Sequence, residues 1–347
     1  MKKLVALVIA FAMVFACVAC AAEKTPTTVA APAAEAKTET AAAPAAETAA
    51  EPTEAQELKI VHCLIHTINY FPLLEAQGAE AAAKEYGCDF EYSGPASYPD
   101  SAGQIESIET AVASGADLII VDAVDTVVAG QAAQAAIDQG VAITCSNSGV
   151  TDGIGLGCWS TDNYAASEQG AVELANAIGG KGKVALLCYG QGTKSCEDRA
   201  YGFLDKMASD YPDIEVVSVQ WITASTDDGA DALKTVIAAH PDVDGVFATC
   251  QDISQGMVVG IKELDMVGQV KLVGFDSGSA VNQAIRDGVL TGAIMQSPYN
   301  MGYMACKAGI EYILNGTKPE QWFNDTGILF VTKDNIDSED AAKVMYD

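Results

Sequence analysis

Short apolar runs rich in β-branched residues alternate with longer segments of helical periodicity from residue 58 to residue 331. Residues 270–298, VKLVGFDSGSAVNQAIRDGVLTGAIMQSP, show the unit most clearly. The run 270–275 is continuously apolar, as a strand buried on both faces of a parallel sheet requires. Asp276 follows at once, and Ala280, Val281, Ala284 and Ile285 then recur at helical spacing until Gly288. A second apolar run, 290–295, is closed by Gln296, Ser297 and Pro298. The same rhythm predicts strands at 58–65, 88–92, 117–121, 141–145, 154–159, 183–188, 214–222, 245–249 and 327–331. Helices are predicted at 72–86, 102–114, 127–139, 164–178, 195–211, 227–239, 253–264 and 301–314. Strands alternating with helices predict an α/β fold with parallel sheets covered on both faces. The series runs twice, so two similar doubly wound domains with right-handed crossovers are expected.

Residues 1–57 break this pattern. Lys2 and Lys3 precede an apolar stretch, 4–16, and small residues then lead to Cys17 and Cys20. That is the layout of a secretory leader, too short to be a spanning helix. The Ala19-Cys20 junction resembles a bacterial lipoprotein cleavage site, which makes Cys20 the candidate for lipidation and 1–20 the leader. Val14 lies three places before Cys17, so Cys17 is the alternative. Residues 21–57 are Ala, Glu, Thr and Pro with almost no bulky apolar side chain, a composition that cannot bury a core and reads as a disordered tether.

The formal charge is −28, and loss of Lys2 and Lys3 with a leader takes it to −30. So acidic a chain repels nucleic acid and anionic lipid, which leaves the lipid anchor as its expected link to a membrane. Of ten cysteines, Cys63, Cys145, Cys188 and Cys250 fall in or at the end of apolar strands and read as small buried thiols. No pair beyond the leader has C-x-x-C spacing and only His62, His66 and His240 could assist a metal, so no metal site or cofactor is expected. Export permits disulfides, but the scattered spacing suggests a reducing or anaerobic habitat instead.

Enzyme signatures fail on inspection. Gly192-Thr193-Lys194-Ser195 lacks the Gly-Lys step and the first glycine of a phosphate loop. Gly153, Gly155 and Gly157 lack the next glycine of a dinucleotide fingerprint, and there is no G-x-S-x-G elbow. What recurs is polar groups at strand ends: Asn69, Asp122, Asn147, Asp252, Asp276, Gln296, and Glu197 just beyond one such loop. Ligands of open α/β sheets bind beyond those carboxyl ends. Tyr70, Phe71 and Trp221 interleave with them. Aromatic faces with convergent hydrogen-bonding groups suit an uncharged, polyhydroxylated ligand, because each buried hydroxyl needs a partner. Simpler readings stand beside these. Asp276 would cap the following helix, Asp162 the helix after 161, His66 would cap its loop, and Trp221 would pack.

Several motifs occur in order: Asn69-Tyr70-Phe71 after the first strand, Ser160-Thr161-Asp162-Asn163, Ala200-Tyr201-Gly202-Phe203 and His240-Pro241-Asp242. Val273-Gly274-Phe275-Asp276 and Gln296-Ser297-Pro298 complete the set. On these motifs, the chain from residue 58 to about residue 333 resembles the periplasmic sugar-binding proteins of the ribose-binding type, with the type I periplasmic binding protein fold. The resemblance implies a three-stranded hinge, with crossings near Thr161, near Ser297 and near residues 324–327. One lobe would hold 58–161 and 298–325, the other 162–297 and 326–347. It also implies ligand contacts at Asn69, Phe71, Asp276 and Gln296. Ser146, Asn147, Glu197, Arg199, His66, Asp122, Asp252 and Trp221 are further candidates. Pentose binders carry Asp-Arg where this chain has Ser146-Asn147, and Glu197 replaces a loop arginine, with Arg199 two places on. Their guanidinium clamps are thus largely missing, and Glu197 could favour a cationic group.

The expected function is that of a receptor without enzymatic activity. It is exported and anchored by lipid to the outer face of the cell membrane, or periplasmic. It acts as a monomer that hands a sugar-like ligand to an ABC permease. The alternatives are a sensor that passes closure to a chemoreceptor or kinase, or a receptor for autoinducer-2, a polyol or a nucleoside.

Overall fold

The computed structural model describes residues 57–68, 70–191 and 194–346. The leader, the lipidation site Cys20 and the tether expected within 1–56 lie outside the described residues, as does Asn69. The first half runs β1 (Lys59–Cys63), α1 (Tyr70–Glu85), β2 (Asp89–Ser93), α2 (Ser101–Ala113), β3 (Leu118–Val121), α3 (Thr126–Ile137), β4 (Ala142–Ser146) and β5 (Cys158–Ser160). The second runs α4 (Asn163–Ile178), β6 (Gly182–Tyr189), α5 (Lys194–Asp210), β7 (Ile214–Ile222), α6 (Thr226–Ala239), β8 (Gly245–Ala248), α7 (Gln251–Glu263), β9 (Lys271–Phe275), α8 (Ser279–Arg286) and β10 (Gly292–Gln296). Then follow α9 (Pro298–Asn315), β11 (Phe323–Asp325), β12 (Ile328–Thr332) and α10 (Glu339–Val344).

Two six-stranded sheets result, in the orders β2-β1-β3-β4-β5-β11 and β7-β6-β8-β9-β10-β12. The two orders are the same pattern repeated. Central strands such as β3 (LIIV) are buried throughout, whereas the edge strand β2 is largely exposed. Four apolar clusters cover the sheets on both faces: α1 with α9 and α2 with α3 on the first, α4 with α5 and α6 with α7 on the second. α1 and α9 approach until a Cβ on Gly78 or Gly302 would run into the carbonyl of Tyr299 or Glu75. Only glycine admits that contact, and it fixes the helix whose first turn carries Phe71.

The chain passes between the sheets three times: after β5, after β10 and between β11 and β12. Asp325 accepts the Asp162 N–H at 3.0 Å, and the Thr326 N–H reaches Ser160 O at 2.9 Å, so two crossings are tied together. Asp162 caps α4 through the Ala165 N–H, as the sequence suggested.

Four elements differ from expectation. β5 is three residues long, because residues 151–156 form turns and only 158–160 pair with β4 and β11. β11 is too short and polar to show a period. α10 opens on Ser338, which accepts the Ala341 N–H, a cap followed by too little apolar pattern to read as a helix. β12 runs antiparallel to β10, not parallel. It starts where the third crossing delivers the chain, at the carboxyl end of the sheet, and so must run backwards.

Eight cysteines among the described residues are unpaired; seven are buried and Cys88 is half-buried. Burial pushes the thiols of Cys63, Cys145, Cys188 and Cys250 up to about 12, which suppresses the reactive thiolate. We expect iodoacetamide at pH 8 to alkylate Cys88 first and the buried thiols only after unfolding, as read by peptide mapping. Equal native-state labelling of Cys145 and Cys88 would contradict this packing.

Candidate functional site

At the carboxyl end of β9, the backbone of Asp276 turns into the left-handed region (φ 68°), and Asn147 does the same after β4 (φ 47°). Non-glycine residues in that conformation store strain and mark places where a side chain must be aimed. Asp276 does not cap α8. The N-cap there is Gly278, with no side-chain hydrogen bond. Instead Gln296 Nε2, at the end of β10, donates to Asp276 Oδ1 at 2.6 Å, and Arg199 Nη1 stands 3.6 Å from Oδ2.

Arg199 rises from α5 into the same place. Its Nε donates to Asn163 Oδ1 at 2.7 Å and its Nη1 to Thr249 O at 2.9 Å, while its guanidinium carbon lies 4.0 Å from the centre of the Phe275 ring. Burial works against its charge, but Tyr189 and Asp276 outweigh it and hold the group above its ordinary value. Among the described ion pairs, only Arg199–Asp276 has both side chains nearly excluded from solvent, 7% and 12% exposed. The others are surface pairs, worth at most about 1 kcal/mol each. Removing one member of a buried pair costs about 3–5 kcal/mol, so the electrostatic weight of this lobe is concentrated here.

The first sheet presents a different arrangement. Asp122 ends β3 and is fully buried; its Oδ1 accepts from Asn147 Nδ2 at 3.2 Å and from the Ser148 N–H at 3.1 Å. Ser146, at the end of β4, donates to Glu75 Oε2 at 3.3 Å, and His62 Nε2 lies 3.0 Å from its Oγ. Glu75 comes from α1, one turn beyond Phe71 on the same face. Burial and the charge of Asp122 push Glu75 well above the usual carboxylate range, and burial lifts Asp122 to about 7. The Ile65 N–H also faces Asp122, but Glu75 Oε1 and Asp122 Oδ2 have no well-placed N–H or hydroxyl donor, and the two carboxyl groups face each other. One proton shared between the carboxyls satisfies both, because two buried charges that close cannot both persist. Ser146 beside His62 imitates a nucleophile with its base. However, His62 Nδ1 has no partner, burial drives that ring down to about 3, and both residues are inaccessible. The network therefore positions Asn147 and Asp122; it has neither the orienting acid nor the access that nucleophilic catalysis requires.

The remaining candidates fall into place around these clusters. Phe71 meets Tyr346 edge to face, ring centres 6.0 Å apart. Asp252 opens α7, and burial and then the charge of Asp276 raise its pKa. Glu197 is half-buried in the first turn of α5. His66 serves its own loop: Nδ1 accepts the Ile68 N–H at 3.2 Å and the ring edges onto Tyr98. Trp221, on the edge strand β7, packs against the core beneath α4 and α5 and does not join the cluster around Asp276. Sequence reading missed Glu75, His62 and Tyr346. A carboxylate on the otherwise apolar face of α1 was the available signal for the first. Among the described residues, no three His, Cys, Asp or Glu side chains converge as metal ligands would.

Two repeated sheets with three crossings, and polar groups gathered at strand ends, are the geometry of a two-lobed binding protein. Residues 64–318 match the family described as periplasmic binding protein domain. The chain belongs to that family. Among curated relatives, a xylose/arabinose-binding protein of Sulfolobus acidocaldarius is 27% identical over 80% of this chain and 72% of its own. A xylitol-binding protein of Mycolicibacterium smegmatis is also 27% identical, over 69% and 67%. Among solved structures, a carbohydrate-transporter solute-binding protein from Agrobacterium radiobacter, in complex with D-arabinose, superposes with a TM-score of 0.73. It is 28% identical, over 84% of this chain and 99% of that one.

For this periplasmic binding protein the buried acid pair has a consequence for stability. A carboxyl raised to about 7 when folded binds its proton more tightly than when unfolded. Its contribution is complete below the unfolded value near 4 and is lost as pH rises through about 7. His62, held neutral, works oppositely below about 6.5. We expect Asp122→Asn to flatten the fall in melting temperature between about pH 5 and about pH 7 relative to the parent, with Glu75→Gln acting in the same direction. Parallel pH profiles for all three proteins would show that the proton is not shared.

Proposed function

We propose that the protein captures an uncharged sugar or closely similar polyhydroxylated ligand between its two lobes and closes on it by bending at the three crossings. The carrying observation is the use of Asp276. Its carboxylate is held by Gln296 and Arg199 and spent on no helix cap, so it is available as a charged acceptor for ligand hydroxyls. The sugar and polyol ligands named for the Sulfolobus, Mycolicibacterium and Agrobacterium relatives support the same class. In this reading residues 58–161 with 298–325 form one jaw and 162–297 with 326–347 the other. Phe71 and Asn147 line the first jaw above the buried Asp122 and Ser146, and Asn69, which lies outside the described residues, is a further proposed contact; Arg199, Asp252, Asp276 and Gln296 serve the second, with Glu197 at its rim. A ligand that touches both jaws favours the closed form by the difference in its affinity for the two states.

The protein is exported and acts as a monomeric receptor for an ABC permease that reads the closed form, held at the membrane by lipid on Cys20. The support for that anchor is the leader pattern of residues 1–20.

A thermal-shift screen of pentoses, hexoses, polyols and nucleosides should yield a stabilising ligand. A hydrogen bond to a charged group contributes about 1.5–3 kcal/mol, so Asp276→Asn should weaken that ligand roughly 10- to 100-fold in calorimetry. The asparagine keeps the partner to Gln296, and a melting curve of the free variant controls for folding. No shift with any sugar or polyol would overturn the reading; unchanged affinity in the variant would remove Asp276 from the site.

A further inference from the structure

The segment after α10 ends up between the lobes. Ala341 and Val344 are buried in the core of the second sheet, and Met345 packs against it. The next residue, Tyr346, is then fixed by its backbone. Ser277 Oγ accepts the Tyr346 N–H at 2.9 Å, and Asn282 Nδ2 donates to the Tyr346 carbonyl at 3.1 Å. Ser277 and Asn282 are themselves buried, and Ser277 is the direct neighbour of Asp276. From this anchor the tyrosine ring reaches the first lobe, where it meets Phe71 at 6.0 Å between centres and 86° between planes. Only 8% of the residue is exposed. Burial first, and the nearby carboxylate of Asp276 next, keep the phenol un-ionised.

From this geometry we infer that Tyr346 is a ligand-contact residue, forming with Phe71 a two-faced aromatic corner that selects a ring sugar with an apolar C–H face. The inference rests on the sugar-binding reading above and extends it to a residue outside every motif that suggested that reading. Two rings 6.0 Å apart and nearly perpendicular leave no slot between them for a sandwiched guest. They make adjoining walls, and Asp276 is the chain neighbour of the Ser277 that anchors one of them. A pyranose presents one flat C–H face and a rim of hydroxyls, so one wall takes the face while Asp276 and Gln296 take hydroxyls. An open-chain polyol has no fixed face to offer. Phe71 belongs to the first lobe and Tyr346 to the second, so the corner is complete only when the lobes approach. Its contact with the ligand therefore favours closure.

The test uses D-xylose, L-arabinose, D-arabinose, D-ribose and xylitol as probes against the full chain and the variants Tyr346→Leu and Tyr346→Ala. Melting curves without ligand check folding; leucine keeps bulk and apolarity where alanine destabilises. For the pyranose that binds the parent best, we expect Kd to rise at least tenfold in Tyr346→Leu, and the preference for that sugar over xylitol to shrink. Parental affinity and preference in Tyr346→Leu, with Asp276→Asn still impaired, would overturn the inference and leave the sugar reading intact. Tighter binding in either variant would overturn it too, by showing that the ring occupies the ligand's place. A parent that binds none of the probes and no hexose would sink the sugar reading itself, and the inference with it.

Discussion

A single guanidinium organises the second lobe. Arg199 is buried, and a buried cation is tolerable only where acceptors surround it. Asn163, the Thr249 carbonyl and Asp276 supply them, and the Phe275 face lies beneath. Those groups come from the start of α4 and the ends of β8 and β9, so satisfying one charge fixes three segments at the carboxyl edge of the sheet. The left-handed backbone of Asp276 follows from this demand, since the carboxylate must turn back towards both Arg199 and Gln296.

The first lobe reaches rigidity without a cation. Gln104 bridges two loops, accepting the Val124 N–H at 2.7 Å and donating to the carbonyls of Asp122 and Leu64. Beneath it, His62, Ser146, Glu75 and Asp122 form a chain whose only source of neutrality is a retained proton. Partly satisfied polar networks are costly in a low dielectric, so the shared proton is a structural element as much as a side chain is. The glycine-mediated seat of α1 on α9 places Glu75 in that chain and sets Phe71 one turn above it. The repeated architecture thus holds its two rims by different physical means.

Much of this was legible in the sequence. Continuous apolar runs gave the buried strands, and glycine or proline marked the helix stops, because both signals are local. The three crossings came from the resemblance, and the chain passes between the sheets after β5, after β10 and between β11 and β12. What escaped was non-local or too short for a period. β11 is three residues that acquire a strand only by pairing with β5. β12 was recognised but not its direction, which is set by the crossing before it. Glu75 interrupts the apolar face of α1, but the groups that bury it, on α9 and β4, are far away in the chain. Asp276 could not be resolved between cap and contact, because the decision lies with Gln296 and Arg199, 20 and 77 positions away in the chain. Tyr346 lies outside every motif and gains meaning only beside Phe71.

The charge of the whole chain misleads about the charge of the site. At −28 the protein would attract a cationic guest by its average field. At the strand ends, however, Arg199 compensates Asp276, and a shared proton removes one of the two charges of Glu75 and Asp122. Asp252 also has its charge disfavoured, by burial first and Asp276 next. The buried groups therefore offer acceptors and donors with little net field. A cation entering there would lose its hydration without an uncompensated anion to replace it. A neutral polyhydroxylated ring loses less on entering such surroundings. The acidic surface keeps the receptor soluble and away from anionic lipid, while its interior electrostatics favour an uncharged ligand.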